Sequence, residues 1–167
     1  MIQVAKAVRN INEAFDQREL NSVTKELRGF IYHDLCDHYV EYVKPSLSDV
    51  NNPEFLPSLL ILHSCVITSL KLLHPVMPFI TEELYQRLPK LTKEKRRESI
   101  MIDAYPVATD WNSFYNENLN DVIDEALKVV TAVRDMKKRY DLSRDITPDI
   151  IVISEVSDIN NHNHHNP

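Results

Sequence analysis

The chain of 167 residues holds one glycine, Gly29, where average usage would be about 7%. That scarcity excludes several devices at once: a phosphate-cradling P-loop, a dinucleotide fingerprint, and a run of tight glycine hairpins. Nucleotide binding through a glycine cradle goes with them. Scarce glycine favours helices joined by proline-marked turns, and nine prolines are available to mark them. Cysteine is nearly as rare. Cys36 and Cys65 show no CxxC spacing and sit inside apolar helical patterns, so both are expected reduced and buried, in a cytosol-like compartment. Basic excess is missing too: the formal net charge is -6, so a nucleic-acid contact needs a local basic patch. No signal peptide is read at the start. The apolar runs are expected to be too short and too interrupted for a bilayer, so no membrane partner is expected.

What is present fits one globular domain with a sizeable core, 43% hydrophobic and 26% charged. Val4, Val8, Ile11 and Phe15 repeat at helical spacing and predict a first helix over about residues 2–16. After the polar link "DQREL", Asn21 or Ser22 is expected to cap a second helix that runs to Lys44, where Pro45 ends it. Asn52 is the expected cap of a third helix, with Pro53 in its first position and an apolar stripe from Leu56 to Leu70. A short helix follows Pro78, with Ile80, Leu84 and Leu88 on one face, and Pro89 stops it. Residues 89–114 read as a long connection in which "ESIMIDAYP" is a short extended piece. A last long helix carries Leu119, Val122, Ile123, Ala126, Val129, Val130, Val133, Met136 and Tyr140. Beyond Pro148, "DIIVIS" is the best strand candidate, and the tail "NNHNHHNP" is low complexity.

The stretch "YHDLCDHYVEYVKP" places two His, two Asp and a Glu within ten residues. At about 100° per residue, Asp34, Asp37, His38 and Glu41 share one helix face. A metal site needs ligands from more than one element, and no second cluster appears outside the tail, so no metal is expected. Val23, Leu27 and Phe30 point almost the same way as this acidic stripe, whereas Leu35, Tyr39, Tyr42 and Val43 point elsewhere. The core-facing side therefore changes near Gly29, by a bend or a change of neighbours. Carboxylates caught there need donors.

These letters also carry a resemblance. "LCDHYVEYVKP" and "LLHPVMPFITEELYQRLP", followed by "ESIMIDAYP" and "VVTAVRDMKKRYDLS", resemble the anticodon-binding helical domain of class I aminoacyl-tRNA synthetases. Valyl-tRNA synthetases are the nearer match, ahead of isoleucyl and leucyl ones, over about residues 2–156. The family signature falls on Cys36, Asp37, Tyr39, Glu41, Lys44 and Pro45, then on His74, Pro75, Pro78, Phe79, Glu82 and Glu83, all expected to be structural. The catalytic domain, with its HIGH and KMSKS-type signatures, and the editing domain are not in these letters.

The resemblance implies a mainly α fold: a helical bundle over 1–114, then a long helix and strand beginning a small α/β unit over 115–156, then a disordered tail over 157–167. It implies a module of a valine–tRNA ligase that binds the anticodon stem-loop, in the cytoplasm or an organelle, without catalysis of its own. Its partners would be a valine-accepting tRNA and the remainder of the synthetase, not DNA. ATP and magnesium would be bound by the parent enzyme outside this segment, and no cofactor by this one. Phosphate contacts require cations, and two basic clusters qualify: "KEKRR" over 93–97, which reads rather as a solvated loop, and Arg134, Lys137, Lys138, Arg139 and Arg144. Lys137 stands where the family commonly has Arg, and helix-dipole compensation explains part of the cluster without RNA. A module that keeps the fold and has lost RNA affinity is the alternative.

Overall fold

The computed structural model describes residues 1–91 and 97–143, in two compact units, Met1–Leu127 and Lys128–Pro167. The described residues are mainly helical and contain no strand. The expected strand at 150–153, Arg144 and the histidine tail lie outside them.

The first helix, α1, spans Ile2–Asp16 and buries Val4, Ala5, Ala7, Val8, Ile11 and Ala14, the stripe that its spacing predicts. It closes with Arg18 in the left-handed region at φ 59°, where Glu19 N–H bonds Ala14 O and Arg18 N–H bonds Phe15 O. This is the double bond pattern that usually ends on glycine. Helix α2 (Leu20–Arg28) has Glu19 at its N-cap position rather than the expected Asn21 or Ser22. Ser22 Oγ instead donates to the Glu19 carboxylate at 2.7 Å.

From Gly29 to Val40 the helix continues with π winding, before α3 (Glu41–Leu47) completes it. Such i→i+5 bonding is normally confined to one turn. Phe30 and Leu35, five residues apart, are its two buried positions. This winding accounts for the change of core-facing side near Gly29, and it corrects a reading made at a uniform α period. Leu35 turns inward and Cys36 outward, so Cys36 is exposed and only Cys65 is buried. Pro45 lies inside α3, not beyond its end. Its fixed φ suits a helix, its missing N–H costs one bond near the terminus, and Ser48 closes the turn by donating to Pro45 O.

Helix α4 runs from Phe55 to Leu73. Asn52 Oδ1 accepts from Glu54 N–H at 2.9 Å, so it caps the turn leading into the helix, three residues ahead of the assigned start. By length and composition α4 could cross a membrane, against expectation, with a mean hydropathy of 1.7. In the fold it packs on α1, α2, α3 and α5 (Pro78–Arg87). The predicted face of α5 is corrected as well: Thr81 and Tyr85 are buried, while Ile80 and Leu84 are exposed. The two buried side chains have hydroxyls that find partners, so they enter the interior without leaving orphaned polar atoms. "ESIMIDAYP" contains a 3-10 turn, Ile100–Ile102, rather than an extended piece. Within the expected connection lie a short α6 (Ala108–Trp111) and a second 3-10 turn, Asn112–Phe114. Helix α7 spans Glu117–Arg139.

Two cores result in the first unit. The larger joins Val8, Ile11, Val23, Leu27, Phe30, Leu35, Cys65 and Leu72, with Tyr39 and Trp111 packed on its edge. Burial of each large aliphatic side chain stabilises by about 1.5–3 kcal/mol. The smaller joins Leu70, Tyr85 and Ile100. Asn12 on α1 fastens the connection, donating to Pro106 O at 3.1 Å and accepting from Ala108 N–H at 3.3 Å.

Candidate nucleic-acid interface

A groove lies beside α1, where α2 passes into the π-wound stretch. It measures about 880 Å³ and is lined by Gln3, Lys6 and Asn10 on one side. Lys25, Arg28, Gly29, His33 and Asp34 face them from the α2–π helix. Several of these groups are already engaged. Gln3 Nε2 donates to Asp124 Oδ1 at 3.1 Å, Lys6 Nζ pairs with Asp124 Oδ2 at 2.5 Å, and Asn10 Nδ2 donates to Glu26 Oε2 at 3.0 Å.

Asp34 is different. It makes no hydrogen bond or ion pair among the described residues. Burial pushes its carboxyl up to about 6, with Lys6 and His33 opposing the rise and Asp124 and Glu26 adding to it. Gly29 has an ordinary right-handed φ of -57° and nothing within 4 Å of the position a Cβ would take. Its lack of a side chain leaves backbone open to the groove, and no turn geometry demands it.

The corner of α4 and α5 is built in the opposite manner. Asp103 Oδ2 accepts from Tyr85 Oη and pairs with Lys71 Nζ, both at 2.9 Å. Burial acts to raise the Asp103 carboxyl, but these bonds outweigh it and hold it below the usual carboxylate range. His74 Nδ1 and Thr81 Oγ1 lie 2.6 Å apart. Glu82 accepts from Gln86 Nε2 at 2.6 Å, Ser99 Oγ at 2.7 Å and Ile100 N–H at 3.2 Å. The bonds from Gln86 and Ser99 lower its pKa.

The signature residues thus divide. His74 and Glu82 tie elements together, Pro78 starts α5, and Pro75 lies in the turn before it. Glu83 pairs with Arg87, and Glu41 with Lys44, on the surface. Asp37 Oδ2 lies 3.4 Å from His33 Nδ1. Tyr39 packs on the larger core, whose burial raises its phenol pKa. Phe79 is 90% exposed and supports nothing in this chain's core. Of the four polar residues expected on one face, Asp34 lines the groove, while Asp37, His38 and Glu41 do not. Among the described residues no three His, Cys, Asp or Glu gather as metal ligands.

The basic candidates Arg134, Lys138 and Arg139 lie exposed along the last two turns of α7, with Lys137 half-buried beside them. Asp141, at φ 50°, ends this helix by the same double bond pattern as α1. The sequence reading noticed Asp34 but missed Lys6, Lys25 and Arg28. The available signal was the change of core-facing side at Gly29, which marks where a helix parts from its neighbour.

A family model described as the anticodon-binding domain of tRNA ligase matches residues 2–153. The chain is 35% identical over 143 residues to a valine–tRNA ligase of Caenorhabditis elegans, covering 85% of this chain and 14% of that protein. It is 37% identical over 142 residues to the mitochondrial valine–tRNA ligase of Mus musculus, covering 85% and 13%. Against a human valine–tRNA ligase it is 33% identical over 156 residues, covering 93% and 12%. The chain therefore spans about a seventh or less of the length of the relatives it matches.

Proposed function

This chain belongs to the anticodon-binding domain family of tRNA ligases, and from that premise we infer that it docks the anticodon stem-loop of a valine-accepting tRNA. The observation that carries this reading is the match over residues 2–153, together with relatives named valine–tRNA ligases. In this reading the segment is a helical docking module of a longer synthetase. ATP, magnesium and the aminoacylation chemistry belong to the rest of that enzyme, and this segment catalyses nothing alone. The division at 1–114, 115–156 and 157–167 is part of the same proposal. Cytosol is the proposed compartment, supported by two free thiols at Cys36 and Cys65. The relatives include proteins with mitochondrial names.

RNA docking needs cations for phosphate and flat or hydrogen-bonding groups for unstacked bases. Arg134, Lys137, Lys138 and Arg139 are the proposed phosphate contacts, with Arg144 continuing the series. Titration of labelled valine-accepting tRNA at low and moderate salt tests this. The expected result is a salt-sensitive affinity that falls when Arg134 and Lys138 are changed to Ala, with a flatter salt dependence. No binding at low salt overturns it.

A second reading has its own observation. Val76, Met77, Phe79, Met101 and Ile102 are exposed at the α4–α5 corner, and apolar exposure of that kind suits a protein partner. A module that docks only protein would bind no tRNA at any salt concentration.

A further inference from the structure

We propose that the groove between α1 and the α2–π helix is a nucleotide subsite that takes one unpaired RNA base bearing an exocyclic amino group. In it, Asp34 accepts from that amino group while Lys25 and Arg28 hold the adjoining phosphate. The inference rests on the stem-loop reading above and names where, within the first unit, a loop base would be read.

The groove leaves several polar side chains without partners among the described residues. Gln3, Lys6 and Asn10 spend donors on Asp124 and Glu26. Asp34, Lys25 and Arg28 are left without hydrogen bonds or ion pairs from their side chains among the described residues. An ionised carboxylate can only accept, and one that lacks donors in a partly desolvated wall is costly. The rise of its pKa to about 6 agrees with that cost. Cytosine, adenine and guanine each carry an amino group that can supply the missing donor, whereas uracil presents carbonyl oxygens at the corresponding place. The two cations bring the attraction that a phosphate requires.

Gly29 completes the fit. Its missing side chain leaves open space beside Asp34 in a helix that did not need glycine for its backbone. A planar base can therefore approach the helix surface there, and a methyl group would stand in its way. The π winding sets this up by turning Leu35 inward and leaving Asp34 on the groove wall.

The test measures binding of the whole chain to fluorescent oligocytidylate, oligouridylate and an anticodon-arm hairpin of a valine-accepting tRNA at low salt. Thermal unfolding of each variant serves as the folding control. The expected wild-type preference for cytidylate over uridylate is about tenfold, the scale of one good base contact. Asp34→Asn should collapse that preference. Gly29→Ala should fold at least as stably and weaken cytidylate and hairpin binding about fivefold or more, the loss of a close base contact. Lys25→Ala with Arg28→Ala should weaken both oligomers alike and flatten the salt dependence.

A hairpin that binds wild type, Asp34→Asn and Gly29→Ala equally overturns the groove and leaves the stem-loop reading standing. Equal binding of cytidylate and uridylate by the wild type overturns the base assignment in the same way. No hairpin binding by the wild type overturns both.

Discussion

Asp34 and Asp103 are both partly buried aspartates in a chain of one net sign, yet the fold treats them oppositely. Asp103 sits between Lys71 and Tyr85 at 2.9 Å from each, and its carboxyl is held low. Asp34 has no hydrogen-bond donor among the described residues, and burial pushes it up to about 6. Asn120, on the α7 segment that also supplies Asp124, is 4% exposed with neither side-chain amide atom bonded among the described residues. The α4–α5 corner is thus a finished polar network. The α1 side carries unmade bonds. A satisfied carboxylate holds a structure together, and an unsatisfied one costs stability that only a ligand can recover.

Removing the satisfied group should have the largest effect. Asp103→Ala strips a charged partner from Lys71 and an acceptor from Tyr85, and should cost about 2–3 kcal/mol in urea unfolding. A loss below half of that would mean the two aspartates do not differ in kind. Asn120→Leu should act in the other direction, raising stability by about 1–2 kcal/mol as an unbonded buried amide is replaced by a similar apolar shape. A clear loss would show that the amide has a partner in solution.

Asp34→Asn should stabilise the free chain at pH 7 by about 1 kcal/mol, after discounting for solvent near the group. The pH course sets the sign. Asp34 has a raised folded pKa, so the folded chain binds its proton more tightly. Its penalty shrinks as pH falls from 7 through 6 and is gone below about 3.8, the unfolded value. Asp103 has a lowered folded pKa, so its stabilisation is present above about 3.8 and is lost as pH falls through the folded value. Stability profiles of Asp34→Asn and Asp103→Ala against wild type should therefore diverge at opposite ends of the acid range. Parallel profiles would remove the comparison altogether.

The smallest effect concerns backbone. Arg18→Gly should gain about 1 kcal/mol by relieving a left-handed residue, because glycine alone adopts that conformation freely. Gly29→Ala should gain about 0.5–1 kcal/mol from helix propensity. A loss at Gly29 would show that the open position serves folding rather than a ligand.

The helices were legible in the sequence because apolar spacing and prolines are local signals. The span of α1 and the start of α5 at Pro78 follow directly from Val4, Val8, Ile11 and from the proline itself. Details that depend on a non-standard winding were not legible. Cys36, expected buried because it sits in an apolar helical pattern, is exposed on the π-wound stretch, and of Asp34, Asp37, His38 and Glu41, placed on one face at about 100° per residue, only Asp34 lines the groove. On α5, an apolarity rule chose Ile80 and Leu84. The interior went to Thr81 and Tyr85, whose hydroxyl partners come from residues 74 and 103, beyond the reach of a local window. For the site, the sequence pointed to the basic run at the end of α7, whereas Lys25 and Arg28 of the groove belong neither to that run nor to the family signature.

The exposure of Cys36 has one more consequence. With Cys65 buried and no other cysteine in the chain, a single thiol faces solvent on the π-wound helix, two residues from Asp34. A maleimide dye or nitroxide attached there would mark one position without any engineered cysteine. The native chain thus carries its own spectroscopic reporter beside the wall where a base would dock.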